Sequence, residues 1–169
     1  MPTNYEIVEN IVADAGGRIV GRTKLQKIGY LLSAAGFDDT FEFEYRHYGP
    51  YSEELADAAR FAPIFCNLCE AERVAEWGGS YSIFTTETAR SADAPEGRLR
   101  LIEIANDADP VELELAATAI FLAKEGYDDP WEETAERKPE KAARGRLARA
   151  KRLYAELAEI DVPRPLPQF

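Results

Sequence analysis

Cys66-x-x-Cys69 has the spacing of half a zinc site, and thiols so placed also serve redox exchange. A closed structural site needs four ligands, however, and His47 is the single histidine of the chain. With Phe65 and Leu68 interleaved, the pair reads as two small buried thiols. His47 is of general-base type, yet no serine or cysteine stands with it in a nucleophile signature, so its ring is expected to pack and hydrogen-bond the adjacent Gly49-Pro50 turn. Arg22, Lys24 and Lys27 crowd the start of a helix, where a cation opposes the macrodipole. They suit either an anion contact aided by free backbone amides or a solvated face, with Arg22 paired to Glu44 or Glu53. Tyr45, Tyr48 and Tyr51 flank Arg46 and His47, an interleaving that can stack bases or pack the core or a partner surface. These eight residues, Arg22, Lys24, Lys27, Tyr45, Arg46, His47, Tyr48 and Tyr51, are the candidate interaction residues. They form no complete catalytic or metal set, and the reading names no cofactor.

Charge narrows the partners. The 169 residues carry a net −11, but residues 137–152 hold eight basic side chains against one acid, so that segment is +7 and the remainder −18. An acidic body repels phosphate backbones, so nucleic-acid binding is expected to be weak, salt-sensitive and carried by Arg144, Arg146, Arg149 and Arg152 of a basic helix. Otherwise that run is a solvated face or a contact for an oppositely charged surface. Residues 115–123 form an apolar run too short to cross a bilayer, and the acidic first helix lacks the pattern of a secretory signal. Together with only two cysteines, this gives a cytoplasmic protein and no membrane partner.

The elements that must position these residues are signalled locally. Thr3-x-x-Glu6 is a capping box for a first helix ended by Gly16-Gly17, and residues 18–20 are extended. Thr23-x-x-Gln26 reads as a second capping box, for a helix ended by Gly36. Residues 41–45 alternate with period two; Gly49-Pro50 then turns the chain and Ser52 caps a third helix running to near Pro63. Residues 73–77 and 81–85 form a hairpin about Gly78-Gly79. Asp109-Pro110-Val111-Glu112 and Asp129-Pro130-Trp131 start later helices. A last helix from near Pro139 carries the stripe Leu147, Ala150, Tyr154 and Leu157, which needs an apolar partner within the chain or on another subunit. The expected fold is mainly α (α+β): a winged-helix-like module over 1–86, a helical extension packed on it over 87–162, and an extended tail over 163–169.

Residues 21–32, with their Lys24-Leu25-Gln26-Lys27 core, followed by Tyr45-Arg46-His47-Tyr48-Gly49-Pro50-Tyr51-Ser52, resemble the uncharacterised YwgA-like bacterial proteins. More distantly they resemble the phage-associated Panacea group that includes SocA-type antitoxins. Tyr51, where many Panacea members carry valine, favours the YwgA-like branch. The resemblance implies a mainly helical regulatory or interaction protein and supplies no catalytic residue. The resulting expectation is a non-enzymatic regulatory or protein-interaction module, in its sharper form an antitoxin or adaptor, with another subunit or an unrelated protein such as a toxin as partner. A winged-helix transcriptional regulator is the alternative, and an enzyme comes third.

Overall fold

The computed structural model describes residues 1–169. It is a mixed α+β protein with eight helices and two small antiparallel sheets. Helix α1 (Asn4–Asp14) begins with the expected capping box, in which the Thr3 hydroxyl accepts from the Glu6 amide and the Glu6 carboxylate accepts from the Thr3 amide. Gly16 and Gly17 at positive φ release the chain into β1 (Arg18–Val20). Helix α2 (Arg22–Ala34) is followed by a short two-stranded ribbon, β2 (Glu44–Arg46) with β3 (Gly49–Tyr51), and then by α3 (Glu53–Phe65), capped by Ser52. Strands β4 (Cys69–Val74) and β5 (Ser80–Thr85) complete a sheet of order β1-β5-β4, with Ile19 opposite Phe84 and Val20 opposite Ile83.

The remaining helices are α4 (Glu96–Asp107), α5 (Pro110–Lys124), α6 (Pro130–Arg137), α7 (Pro139–Ala142) and α8 (Arg146–Ala158). Helix α5 is buried almost all round, from Leu113 through Leu122 except at half-buried Phe121, and packs against α2, β3, α6 and α8. A helix apolar on every side belongs at the centre of a fold. A single cluster of 33 buried residues accordingly runs from Val8 to Leu166. No helix is long and apolar enough to cross a membrane.

Several local expectations are corrected. The Thr23–Gln26 capping box does not form; Gly21 (φ +97°) is the N-cap of α2 and Gln26 is engaged elsewhere. Of residues 41–45 only the last two are strand. Gly49 and Pro50 are not the apex of the turn: His47 and Tyr48 turn the chain, and Gly49 starts the returning strand. The hairpin's first strand starts at Cys69, four residues ahead of the β-prone run from 73. The last basic segment is two helices, separated by Arg144 (φ +60°) and Gly145 (φ +78°). On α8 the stripe docks within the chain: Ala150, Leu153, Tyr154 and Leu157 are buried, with Leu147 half-buried against the core. The 163–169 tail follows it back, with Leu166 buried and Phe169 against Trp131 and Tyr154.

Candidate interaction site around the clasped motifs

The two motifs meet through backbone carbonyls. Gln26 pairs both ways with Ser52, its Nε2 donating to the Ser52 carbonyl at 2.9 Å and its Oε1 accepting from the Ser52 amide at 2.9 Å. One residue on, the Lys27 Nζ donates to the Pro50 carbonyl at 2.8 Å. Carbonyls two residues apart in an extended segment face the same side, so adjacent residues at the start of α2 can hold both. The clasp seats Ser52, whose hydroxyl then accepts from Leu55 and starts α3. Gly49, at φ +90°, lies against Thr118 of α5.

Behind this clasp is a buried charge cluster. Glu114 on α5 is 3% exposed, forms an ion pair with Lys138 Nζ at 2.9 Å and accepts from Lys141 Nζ at 2.7 Å. Lys138 also donates to the His47 carbonyl at 3.0 Å, tying the turn to the end of α6. Lys27, 1% exposed, has no carboxylate within 4 Å and faces the same group. Burial lowers its ammonium to about 8, Glu114 raises it, and Lys138 and Lys141 lower it again.

The sign of this shift is testable. A lysine that titrates near 8 when folded and near its ordinary 10.5 when unfolded opposes folding fully below pH 8. Between these values the unfolded chain holds more protons, so stability rises with pH by on the order of 3 kcal/mol at most. Cys66, raised to about 11 by burial and by Glu9, acts oppositely above its ordinary 9, and so does Tyr30, raised by burial. Chemical denaturation of the protein and of Lys27→Met should therefore differ by a gap that changes across pH 8–10.5. A constant gap would mean that Lys27 titrates normally.

The other candidate residues have distinct places. Lys24 makes no anion contact: its Nζ donates to the carbonyls of Asn106 and Ala108 at 2.8 and 3.0 Å, closing the end of α4, and burial lowers its pKa. Arg22 pairs with Glu70 at 2.8 Å rather than with Glu44 or Glu53, because β4 passes the start of α2; this hydrogen bond raises its pKa. Arg46 takes Glu44 and Glu53 instead. The His47 ring is exposed, edge-on to Tyr48, and forms no hydrogen bond to the turn. Tyr45 lies under Arg137 and Lys138, while Tyr48 meets Lys141 and Tyr51 meets Arg46.

The basic run is largely spent inside the molecule. Arg137 pairs with Glu133 and Arg149 with Glu112, and Arg146 caps the carbonyls of Glu140 and Lys141. Arg144 precedes α8 rather than lying in it and, like Arg152, is exposed without an ion pair. The cysteines are not a buried pair: Cys69 is exposed and Cys66 half-buried, its Sγ donating to the Tyr5 and Ala62 carbonyls. No group of three or more His, Cys, Asp or Glu side chains is placed to hold a metal ion. Sequence reasoning missed Gln26, Glu114 and Thr118. Gln26 stands in the motif, where its spacing from Thr23 suggests a cap, and the isolated acid of an otherwise apolar segment, Glu114 between Leu113 and Leu115, is the available signal for the second.

The arrangement defines a mainly helical protein whose Lys-Leu-Gln-Lys helix and Gly-Pro strand are locked together by side-chain to backbone bonds. No family model matches the chain. It is 31% identical over 122 residues to the uncharacterized protein YwgA of Bacillus subtilis (strain 168), a match covering 67% of this chain and 70% of that protein. The chain belongs to the YwgA family.

Proposed function

We propose that this protein is a non-enzymatic regulatory module that acts by binding another protein, in the manner of an antitoxin or adaptor, and that its first half is winged-helix-like. The observation that carries the reading is the outer face of α3. Phe61, Ile64 and Phe65 are 41%, 73% and 62% exposed at i, i+3, i+4 spacing, and Phe65 stacks on Tyr5 with ring centroids 4.7 Å apart. The face continues into a groove of about 370 Å³ bordered by Asn4, Tyr5, Glu54, Asp57 and Phe61. Asp57 is paired with Arg60, whose guanidinium lies over the Phe61 ring, which leaves Glu54 as the rim carboxylate without a cation; an apolar stripe so bordered suits an amphipathic segment with a basic flank. The resemblance of the two motifs to the Panacea group supports the antitoxin form of the reading. The order helix, strand, helix, helix, hairpin, with sheet order β1-β5-β4, supports the winged-helix description.

The transcriptional regulator is the weaker alternative. Helix α3 would be its recognition helix, and α3 opens with Glu53 and Glu54, which a polyanion repels. A fluorescent amphipathic peptide of leucine and lysine should bind, its glutamate counterpart should not, and Phe61→Ser with Ile64→Glu should weaken the cationic peptide by about tenfold or more without lowering the melting temperature. Equal binding of both peptides, or no effect of the double substitution, would refute the docking face. Nanomolar binding of one duplex DNA sequence at physiological salt would favour the regulator.

A further inference from the structure

A second concave surface lies on the other side of α3 from Phe61, Ile64 and Phe65, with Arg60, over the Phe61 ring and paired with Asp57, between the two. It is a cavity of about 330 Å³ between the start of α2, the α3 face carrying Leu55 and Arg60, and Tyr48 and Tyr51 of the clasped ribbon. That volume is at the lower end of the range of small-molecule sites. Three cations line it, Arg22, Lys27 and Arg60, against one carboxylate, Glu70.

The cations are not saturated by the protein. Arg22 gives its Nε and one terminal nitrogen to Glu70, and Arg60 gives one terminal nitrogen to Asp57, while their side chains stay 69% and 60% exposed. A guanidinium has five N–H donors, so each retains free ones. Lys27 uses the Pro50 carbonyl and has no acid partner, while Lys138 and Lys141 behind it share Glu114. Three ammonium groups on one buried carboxylate leave an excess of positive charge at the back of the cavity, in a medium that screens it poorly. Tyr48, Tyr51 and Leu55 give the cavity apolar walls.

We propose that this cavity binds a small organic anion, with a carboxylate or phosphate group at the exposed Arg22 and Arg60 and a flat apolar body against Tyr48 and Tyr51, the buried charge of Lys27 acting on it from behind. The site adjoins the exposed α3 stripe at Arg60, whose guanidinium lies over the Phe61 ring at 5.5 Å, but Arg22, Tyr48 and Tyr51 are separate from the stripe, so Arg22→Gln tests the cavity without touching the stripe. Bound charge would offset, through space, the excess positive charge that Lys27 shares with Lys138 and Lys141 behind the cavity.

Titration of the protein with phenyl phosphate, benzoate and neutral benzyl alcohol, followed by calorimetry, tests this. At least one of the two anions should bind saturably with a Kd of about 1 mM or tighter, and which of them binds better identifies the head group. Arg22→Gln and Arg60→Gln should each weaken it by about tenfold, whereas Arg149→Gln should leave it unchanged. Both cavity arginines are exposed, so these variants keep the fold. Binding should also weaken as pH rises through about 8, where Lys27 loses its charge, and this dependence should vanish in Lys27→Met. Benzyl alcohol binding as well as either anion, or anion affinity unchanged in both arginine variants, would overturn the proposal.

Discussion

Replacing Gly49 with valine should destabilise the protein by about 3 kcal/mol or more, a fall in melting temperature on the order of 10 °C for a chain of this size. Two causes add. Gly49 sits at φ +90°, where a side chain costs about 1–2 kcal/mol. A Cβ there would also stand 2.6 Å from the Thr118 hydroxyl of the central helix, closer than any relaxed contact. Helix α5 is packed on all sides and Lys27 and Glu114 border the same spot, so neither neighbour can withdraw freely. Gly78, at φ +93° with open space around it, separates the two causes. Gly78→Ala should show only the backbone penalty, and Gly49→Ala clearly more. Equal losses from the two alanine variants would show that contact with Thr118 is unimportant.

Glu114→Gln should be comparably severe, at about 3–5 kcal/mol, although it changes one atom. The carboxylate is 4% exposed at its side chain and holds Lys138, itself 5% exposed, and Lys141. Removing its charge leaves two ammonium groups and nearby Lys27 without a counter-ion inside the fold, which costs far more than a surface pair is worth. Because the loss comes from orphaned cations, Glu114→Gln combined with Lys138→Met should recover part of it in thermal denaturation. A double variant no more stable than Glu114→Gln alone would place the damage in packing rather than charge. Either substitution should also loosen the His47 turn, since Lys138 carries the bond to its carbonyl.

These two residues mark the boundary of what could be read from the chain. Gly49-Pro50 was visible as a special backbone position, because glycine and proline announce their dihedral preferences in any context. That the glycine opens a strand, and is required by the approach of α5 about seventy residues later, was not visible. Glu114 looked like one acid in a helix, and Lys138 and Lys141 looked like part of a solvated basic face. Only when α5 is placed at the centre and α6–α7 are laid beside it do the three meet.

By itself the sequence determined the local events: the Thr3–Glu6 capping box, the Ser52 cap, the glycine stops, the proline-led starts of α5 and α6, and the apolar stripe of α8. Each is decided within about one helical turn, where side chain and backbone meet whatever the rest of the chain does. The tertiary structure alone decided which donors met which acceptors across long separations. Gln26 could cap its own helix or clasp Ser52, and it clasps Ser52 because burying that backbone amide and carbonyl without partners would cost more than leaving Gly21 as an uncapped start. Arg22 had three acids to choose from, and the path of β4 gave it Glu70. Helical spacing encodes a face, but it does not encode what that face meets, and the stripe of Phe61, Ile64 and Phe65 became distinct from core only once the opposite face of α3, with Leu55, Ala58, Ala59 and Ala62, had been buried in the fold.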